Sequence, residues 1–351
     1  MSRNEVFDVT VIGVGGGPAG LYSAFYSGLR GMKTKIIEYQ PMLGGKVHVY
    51  PEKMIWDVGG LTPISGARLI EQIVQQGLTF HPEVLLNEKV ESIARNEEGL
   101  FELHTAASGV HLSKTVIVAV GGGILNPQKL QIEGAERFEV SNLNYTVKSL
   151  QHFKDKTVIV SGGGNSAVDW ANELEPVAKK VYLAYRKDAL SGHEAQVDQL
   201  LNSSVSCFFH TQITKLIASE DHEVIERVEL TNAQTGEVME LPVDEVVINH
   251  GYERDTSLLE NSRLHITRVD DYYIKGTANC QSSVPGLYAA GDIVHYEGKL
   301  HLIAGAFQDA ANAVNSAKRF IDPEAHKSAM VSSHNEVFKE RNRELVKKMF
   351  V

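Results

Sequence analysis

Cysteine is nearly missing from this sequence: Cys207 and Cys280 are the only two in 351 residues. They are too far apart to form a Cys-x-x-Cys pair or to offer metal-ligand spacing, which excludes a disulfide framework, a zinc site and a local dithiol relay. No apolar run approaches the ~18 residues a membrane helix needs, and Met1–Glu5 lacks the apolar core of a secretory leader. A cytoplasmic protein without a membrane partner is expected. Basic charge is short too: 34 Lys and Arg against 44 Asp and Glu leave a net charge of −10. That balance argues against nucleic acid, whose phosphates need a concentrated basic face. Histidine is plentiful at 14, but no pair has ligand spacing and His193-Glu194 lacks the second His of a metalloprotease helix, so no metal is expected. Low-complexity segments are absent. The apolar share of 43% and charged share of 22% are globular proportions, and the length predicts two domains.

What the sequence does have is glycine in two telling places. Gly15 to Gly20 reads G-G-G-P-A-G, preceded by the apolar run Val9–Ile12 and followed by Leu21, Ala24, Phe25, Gly28 and Leu29 at helical spacing. Strand, tight turn and helix come in the order a dinucleotide fold requires. Gly15 allows the turn, Gly17 lets backbone approach a pyrophosphate, and Pro18, Ala19 and Gly20 open a helix that packs on the strand. The helix start offers unpaired N–H donors to an anion. Glu38 closes the next apolar strand, Lys35–Ile37. A carboxylate there accepts from a ribose diol and repels a 2′-phosphate, which suits the adenosine half of FAD. A register counted from Gly13 would put Pro18 at the third glycine position, so the loop is indexed on Gly15.

The second turn, Gly162-Gly163-Gly164-Asn165-Ser166-Ala167, follows the strand Thr157–Val160. Ala167, Trp170, Ala171 and Leu174 then share one helical face. Ala in place of the third glycine is an accepted variant. After the next strand, Val181 to Tyr185, the chain carries Arg186-Lys187 where the first unit carries Glu38. Two cations in place of a carboxylate favour the 2′-phosphate of NADP. One such turn is weak evidence. Two complete units with opposite charge at the ribose position are hard to obtain by accident.

Seams fall near Ala119–Gly123 and Asn249–Tyr252, each closing a buried strand. Val284 to Asp292 reads as one more buried strand with a polar end. The expected architecture is α/β, two Rossmann-like three-layer domains, with an NADP-binding domain (121–250) inserted into a discontinuous FAD-binding domain (1–120 and 251–351).

Taken together, the glycine loops, Glu38, Leu43-Gly44-Gly45, Tyr50-Pro51-Glu52-Lys53 and Leu287–Asp292 resemble the ferredoxin (flavodoxin)–NADP reductases of the thioredoxin-reductase-like type. The resemblance runs from about Val6 to Ser333. It implies a homodimeric FAD enzyme moving electrons between NADPH and an iron–sulfur or flavin protein: hydride passes from nicotinamide to flavin N5, then electrons leave singly. The cofactors perform both steps, so no catalytic base is expected. Thioredoxin reductase looks similar but carries a Cys-x-x-Cys where Gly134–Tyr145 here has no cysteine.

The resemblance also implies roles for particular residues. Tyr50 would stack on one flavin face, and Trp56 lies close in sequence. Gly45 and Lys46 would sit at the ribityl chain, with Lys46 where the family commonly shows Gln. Val90 and Leu125 match flavin contacts and fit core packing equally well. Asp292 would face the ribityl or pyrophosphate, and a helix beginning near Leu302 would point its positive end at the N1–O2 edge. The tail, 326–351, would reach the partner subunit's flavin. Aligned on Ser332-Ser333, it puts Val331 at the stacking position and Ser333 against the ring, with His334 close behind. Glu336 to Val351 reads as an amphipathic helix whose Lys339, Arg341, Arg343, Lys347 and Lys348 offer a basic face to an acidic carrier. Ser191 and Gly192 stand where related enzymes often have another Arg, with His193 beside them. Two further functions stay open: an NADPH diaphorase or disulfide reductase working through a separate thiol protein, and a redox-sensing flavoprotein.

Overall fold

The computed structural model describes residues 5–13, 16–123 and 126–349. Along the chain, the β-branched run Val6–Gly13 forms β1, and Pro18 pre-sets the first turn of α1 (Pro18–Leu29). There follow β2 (Thr34–Glu38) and α2 (Gly66–Gly77), the latter capped by the Ser65 hydroxyl accepting from Arg68 N–H. Next come β3 (Glu83–Leu85), β4 (Val90–Arg95), β5 (Phe101–Thr105) and the long β6 (Gly109–Ala119). The chain continues through β7 (Leu143–Asn144), β8 (Thr157–Ser161), α3 (Asn165–Leu174), β9 (Lys180–Ala184), α4 (Glu194–Leu201) and β10 (Ser206–Phe208). An antiparallel excursion, β11 (Thr211–Ala218), β12 (Ile225–Asn232) and β13 (Val238–Pro242), precedes β14 (Glu245–Ile248). The last elements are β15 (Leu287–Ala289), α5 (Ile303–Ile321) and α6 (Lys339–Met349).

Two units result. The first comprises Met1–His48, Lys53–Ile124 and Arg254–Val351, and the second Val49–Glu52 and Leu125–Glu253. In the first, the parallel order is β3-β2-β1-β6-β15, with β5 and β4 continuing antiparallel. β6 serves two partners on one side: residues 109–113 pair with β5, and 116–118 pair with β15. Its parallel stretch is buried on both faces, and Val9, Val11, Ile36, Ile37, Val116, Ile117 and Leu287 are nearly or fully inaccessible. Each such side chain contributes roughly 1.5–3 kcal/mol by burial, so the strand ends, where the ligand loops begin, are fixed by the core. The second unit repeats the pattern as an all-parallel sheet in the order β10-β9-β8-β14-β7.

The buried face of α1 differs from the one its apolar spacing suggests. Leu21 and Ala24 are buried as expected, but Ser23 and Ser27 are buried with them, while Phe25 and Leu29 stay half-exposed. The reason is the neighbour. α5 turns a face of small residues, Gly305, Ala306, Ala310 and Ala313, and it packs on α1. Two small-residue faces let helices approach closely, and the Phe25 ring lies to one side, joining Tyr22, Phe307 and Phe80 in a tilted aromatic row. Gly28 is obligatory there, because an added Cβ would lie 2.2 Å from the Phe80 ring.

The C-terminal helix begins at Lys339, after a short turn over Glu336–Phe338, rather than at Glu336. The Asn335 side chain accepts from Val337 N–H and starts that turn, and the Phe338 ring rests 5.4 Å from that of Phe80.

Candidate functional site: two glycine cradles

The first cradle forms where β1 hands over to α1. Gly15 lies outside the described residues. Gly16 has φ +41, and an added Cβ would meet Leu43 at 2.4 Å, so only glycine fits beneath the Leu43–Gly45 segment. Gly44 N–H donates to the Gly16 carbonyl at 3.1 Å, and Gly45 Cα packs 3.6 Å from where a Gly17 side chain would begin. Gly17 is the N-cap of α1 and no side chain caps it, so the first N–H groups of the helix, those of Ala19 and Gly20, are left for a ligand. Glu38, at the end of β2, is fully buried. Its Oε2 accepts from Gly16 N–H and its Oε1 from Gln40 N–H at 2.7 Å.

Other expected residues converge on this cradle. A Cβ on Gly291 would sit 3.0 Å from Ala19 Cβ, so the turn carrying Asp292 abuts the start of α1, with the Asp292 side chain exposed. Val90 is buried at the head of β4 and lines a narrow slot with Ile12, Gly13 and Tyr39. Lys89 and Asp255 close that slot with a 2.7 Å ion pair. Burial pushes the Asp255 carboxyl up, but the bonds from Lys89 and Ser257 more than reverse it, leaving its pKa below the ordinary value. Lys46 is exposed on the short 3-10 helix Gly45–Val49. The helix expected near Leu302 starts at Ile303, and no side chain caps it either.

Not every expected residue gathers here. Tyr50 belongs to the second unit, half-buried against the apolar cluster built on α3, β8 and β9. Glu52 in the same segment accepts from Leu150 N–H at 2.7 Å. Leu125 lies outside the described residues. Trp56 is 74% exposed. Val331 and Ser333 lie on an exposed turn of the tail.

The second cradle is built the same way. Gly162, at φ +147, has the Asn249 carbonyl 2.4 Å from its missing Cβ, and Gly163 has the Tyr185 ring at the same distance. Gly164, by contrast, faces open space and forms the N-cap of α3 without a side-chain cap. Backbone can therefore be approached closely at Gly164, ahead of Asn165, Ser166 and the buried Ala167. Arg186 and Lys187 follow β9 and are exposed.

Sequence reasoning missed what fixes this loop. Ser191 donates twice to the Gly163 carbonyl, from N–H at 2.8 Å and from its hydroxyl at 3.2 Å. His193 N–H donates to Asn165 Oδ1 at 2.9 Å. Ser161 and His250 share a 2.9 Å bond at the ends of β8 and β14. His250 keeps an exposed edge, yet the protein packed around its ring, and then the Arg186 charge, hold its pKa below the ordinary value. Next to it, Asn249 Oδ1 is buried with no hydrogen-bond partner among the described residues. The loop sequence does hold a hint in Ser191 and Asn165, both residues that bond backbone readily.

Both cradles fit a dinucleotide on their own geometry: uncapped helix N-termini, glycines that a Cβ would block, and in the second an orphaned acceptor. The thiols do not fit a dithiol relay. Burial pushes the pKa of Cys207 up, and burial followed by the Asp309 carboxylate pushes that of Cys280 up further, so neither is a thiolate near neutral pH.

Comparison with known proteins agrees. Residues 7–317 match the family model of the pyridine nucleotide-disulphide oxidoreductases. The chain is 97% identical over 351 residues to ferredoxin–NADP reductase 1 of Bacillus licheniformis, covering all of both chains. It is 74% identical over 349 residues to ferredoxin–NADP reductase 1 of Bacillus mycoides, covering 99% of each. Among solved structures, thioredoxin reductase of Lactococcus lactis superposes with a TM-score of 0.75 at 25% identity, over 90% of this chain and 99% of that one.

Proposed function

This chain belongs to the pyridine nucleotide-disulphide oxidoreductase family, among its ferredoxin–NADP reductases, and we propose how its two cradles divide the work of that enzyme. The activity is FAD-dependent electron transfer between NADPH and ferredoxin or flavodoxin. Bound flavin supplies the hydride acceptor and the one-electron donor. The chain's own residues bind, orient and tune.

In the first cradle, the N–H groups at the start of α1 hold the FAD pyrophosphate, and Glu38 accepts from the ribose diol of its adenosine. Val90, Tyr39 and Lys89 wall the adenine end, while Gly45 and Lys46 meet the ribityl chain. Asp292 and the uncapped start of α5 face the other end, where negative charge is best stabilised by the positive helix terminus. In the second cradle, Gly162, Gly164, Asn165, Ser166 and Ala167 hold the NADP pyrophosphate. Arg186 and Lys187 take the 2′-phosphate, and Ser191 and His193 keep the loop in register.

One observation carries this reading: a buried carboxylate, Glu38, ends the strand after the first glycine turn, and exposed cations, Arg186-Lys187, end the strand after the second. Opposite charge at equivalent positions supports a bare ribose diol at one cradle and a 2′-phosphate at the other. The purified protein should be yellow, bleach rapidly on mixing with NADPH, and recover colour on adding oxidised ferredoxin. A preparation that bleaches but is not reoxidised by ferredoxin or flavodoxin would move the reading to a diaphorase, and slow bleaching to a sensor.

The working unit is proposed to be a homodimer, with Val331 and Ser333 over the partner subunit's flavin. The cytoplasm is its proposed compartment; no described helix is long and apolar enough to cross a membrane. Acidic carriers would meet a protein of net charge −10, and the cations of α6 give that encounter local complementarity. Reversing Arg341, Arg343 and Lys347 should raise the ferredoxin KM and flatten its salt dependence.

A further inference from the structure

One buried charge cluster in the first unit has no part in the roles above. Asp309, in the second turn of α5, is fully buried, and so is the side chain of Lys299, whose Nζ lies 2.7 Å from Asp309 Oδ2. The same oxygen accepts from Gly291 N–H at 3.0 Å, and Oδ1 accepts from the Tyr296 hydroxyl at 2.7 Å. A single carboxylate thus gathers a backbone donor from the turn after β15, a hydroxyl and an ammonium from the loop that follows, and its own helix. Lys299 also donates to the Leu300 carbonyl at 3.1 Å. That carbonyl presses on the first turn of α5, 2.1 Å from where a Cβ on Gly305 would sit.

Such a cluster is an expensive way to make a core. Two charges taken out of water regain their hydration energy only when every remaining donor and acceptor is matched, and well-packed apolar residues often do as well or better. What a matched pair adds is directionality, because a carboxylate with three donors fixes the relative position of the elements that supply them. Here those elements are the Gly291–Asp292 turn and the start of α5. Both are ligand-facing: the turn abuts Ala19 at the head of α1, and the helix start has no side-chain cap.

We propose that Asp309, neutralised by Lys299, is a positioning residue for the flavin, holding the Asp292 turn and the N-terminus of α5 in one register so that both meet the same bound FAD. Asp309 touches no cofactor; it acts through Gly291 and the helix. The inference rests on the assignment of FAD to the first cradle.

The test compares holoenzymes carrying Asp309→Asn, Tyr296→Phe and the double change Lys299→Met with Asp309→Leu. Asp309→Asn leaves a buried ammonium without its counter-charge and should lower the thermal midpoint and FAD affinity together. The double variant separates the two effects. It should regain most of the wild-type thermal midpoint, while its FAD dissociation constant stays weaker by about tenfold or more, the order that a lost charged hydrogen bond carries. Its visible flavin band and midpoint potential should also shift. Wild-type FAD affinity and potential in the double variant would overturn the proposal. If the double variant does not fold, Tyr296→Phe decides: it removes one donor and no charge, and should weaken FAD several-fold, whereas unchanged FAD affinity would again overturn the proposal. A wild-type protein that takes up no FAD at all would instead defeat the cofactor assignment, a result distinguishable from every variant outcome.

Discussion

Glu38, at the end of β2, accepts the backbone N–H of Gly16 across the mouth of the first glycine turn, so one buried carboxylate ties the loop that approaches a pyrophosphate to the strand end that approaches a ribose. Replacing it by Ala removes that acceptor and the bond from Gln40 N–H. Each buried donor left unpaired costs about 1–3 kcal/mol, and the ribose diol loses its acceptor as well. Glu38→Ala should therefore weaken FAD by roughly 10–100-fold, read as flavin fluorescence released on dilution. A yellow variant that retains FAD like the wild type would show that the carboxylate serves the loop alone.

The second cradle allows stability and binding to be separated by two neighbouring substitutions. A Cβ on Gly162 would lie 2.4 Å from the Asn249 carbonyl, at a φ of +147 that L side chains rarely adopt. Gly162→Ala should lower the thermal midpoint, with a cost above the ~1 kcal/mol typical of a point change. A Cβ on Gly164 would meet no atom of the described residues within 4 Å. Gly164→Ala should melt like the wild type and yet lose NADPH affinity, because the methyl group occupies the space a pyrophosphate needs. Calorimetry alongside NADPH titration distinguishes the pair, and equal loss of stability in both would contradict the cradle.

The two glycine turns and the strands around them were legible in the sequence because each rule involved is local. Burial on both faces writes a parallel strand as a continuous apolar run, and a helix N-terminus behind Gly-Gly-Gly needs no distant partner to be recognised. Longer-range features were not legible. The buried face of α1 depends on the small residues of α5, almost three hundred positions later, so Ser23 and Ser27 displaced Phe25 and Leu29. Lys299 lies in a stretch, Glu297-Gly298-Lys299, that reads as a surface turn, and only the folded chain brings Asp309 to it. Tyr50 is beside Gly45 and Lys46 in sequence, but Val49–Glu52 is grouped with the second unit. Ser191 and Asn165 are plain loop residues until the turn they brace is seen.

Arg186 and Lys187 are exposed, so their replacement should leave the fold intact and act on ligand choice. A charge-assisted hydrogen bond to phosphate is worth about 1.5–3 kcal/mol, or roughly 10–150-fold in binding. Changing both residues to Ser should raise the KM for NADPH by that order and leave the KM for NADH nearly unchanged. Both values come from one dye-reduction assay with the two nucleotides. A parallel rise for NADH would mean that the cations hold the pyrophosphate instead.

His250 gives the protein an acid-side sensitivity centred on the second unit. Its folded pKa lies below the ordinary histidine value, through the packing around the ring and then through Arg186. Below about pH 6.5 the unfolded chain takes up a proton at this site that the folded chain refuses, so the unfolded state binds more protons and stability falls as pH falls. The loss sets in as pH drops through the unfolded pKa and stops growing below the depressed folded one. Above about pH 6.5 the term is absent. Asp255, Asp8 and Glu88, all with lowered pKa values, add their own losses only near the carboxylate range, at more acid pH. His111, also lowered by burial and then by Lys35, contributes in the same window as His250 and must be controlled. In His250→Gln, whose amide can still bond the Ser161 hydroxyl, the fall in thermal midpoint between pH 7 and pH 5.5 should be shallower than in the wild type, with His111→Gln as the reference for the other site. An identical slope in His250→Gln and wild type would mean that the imidazole accepts its proton in the folded protein as readily as in the unfolded chain.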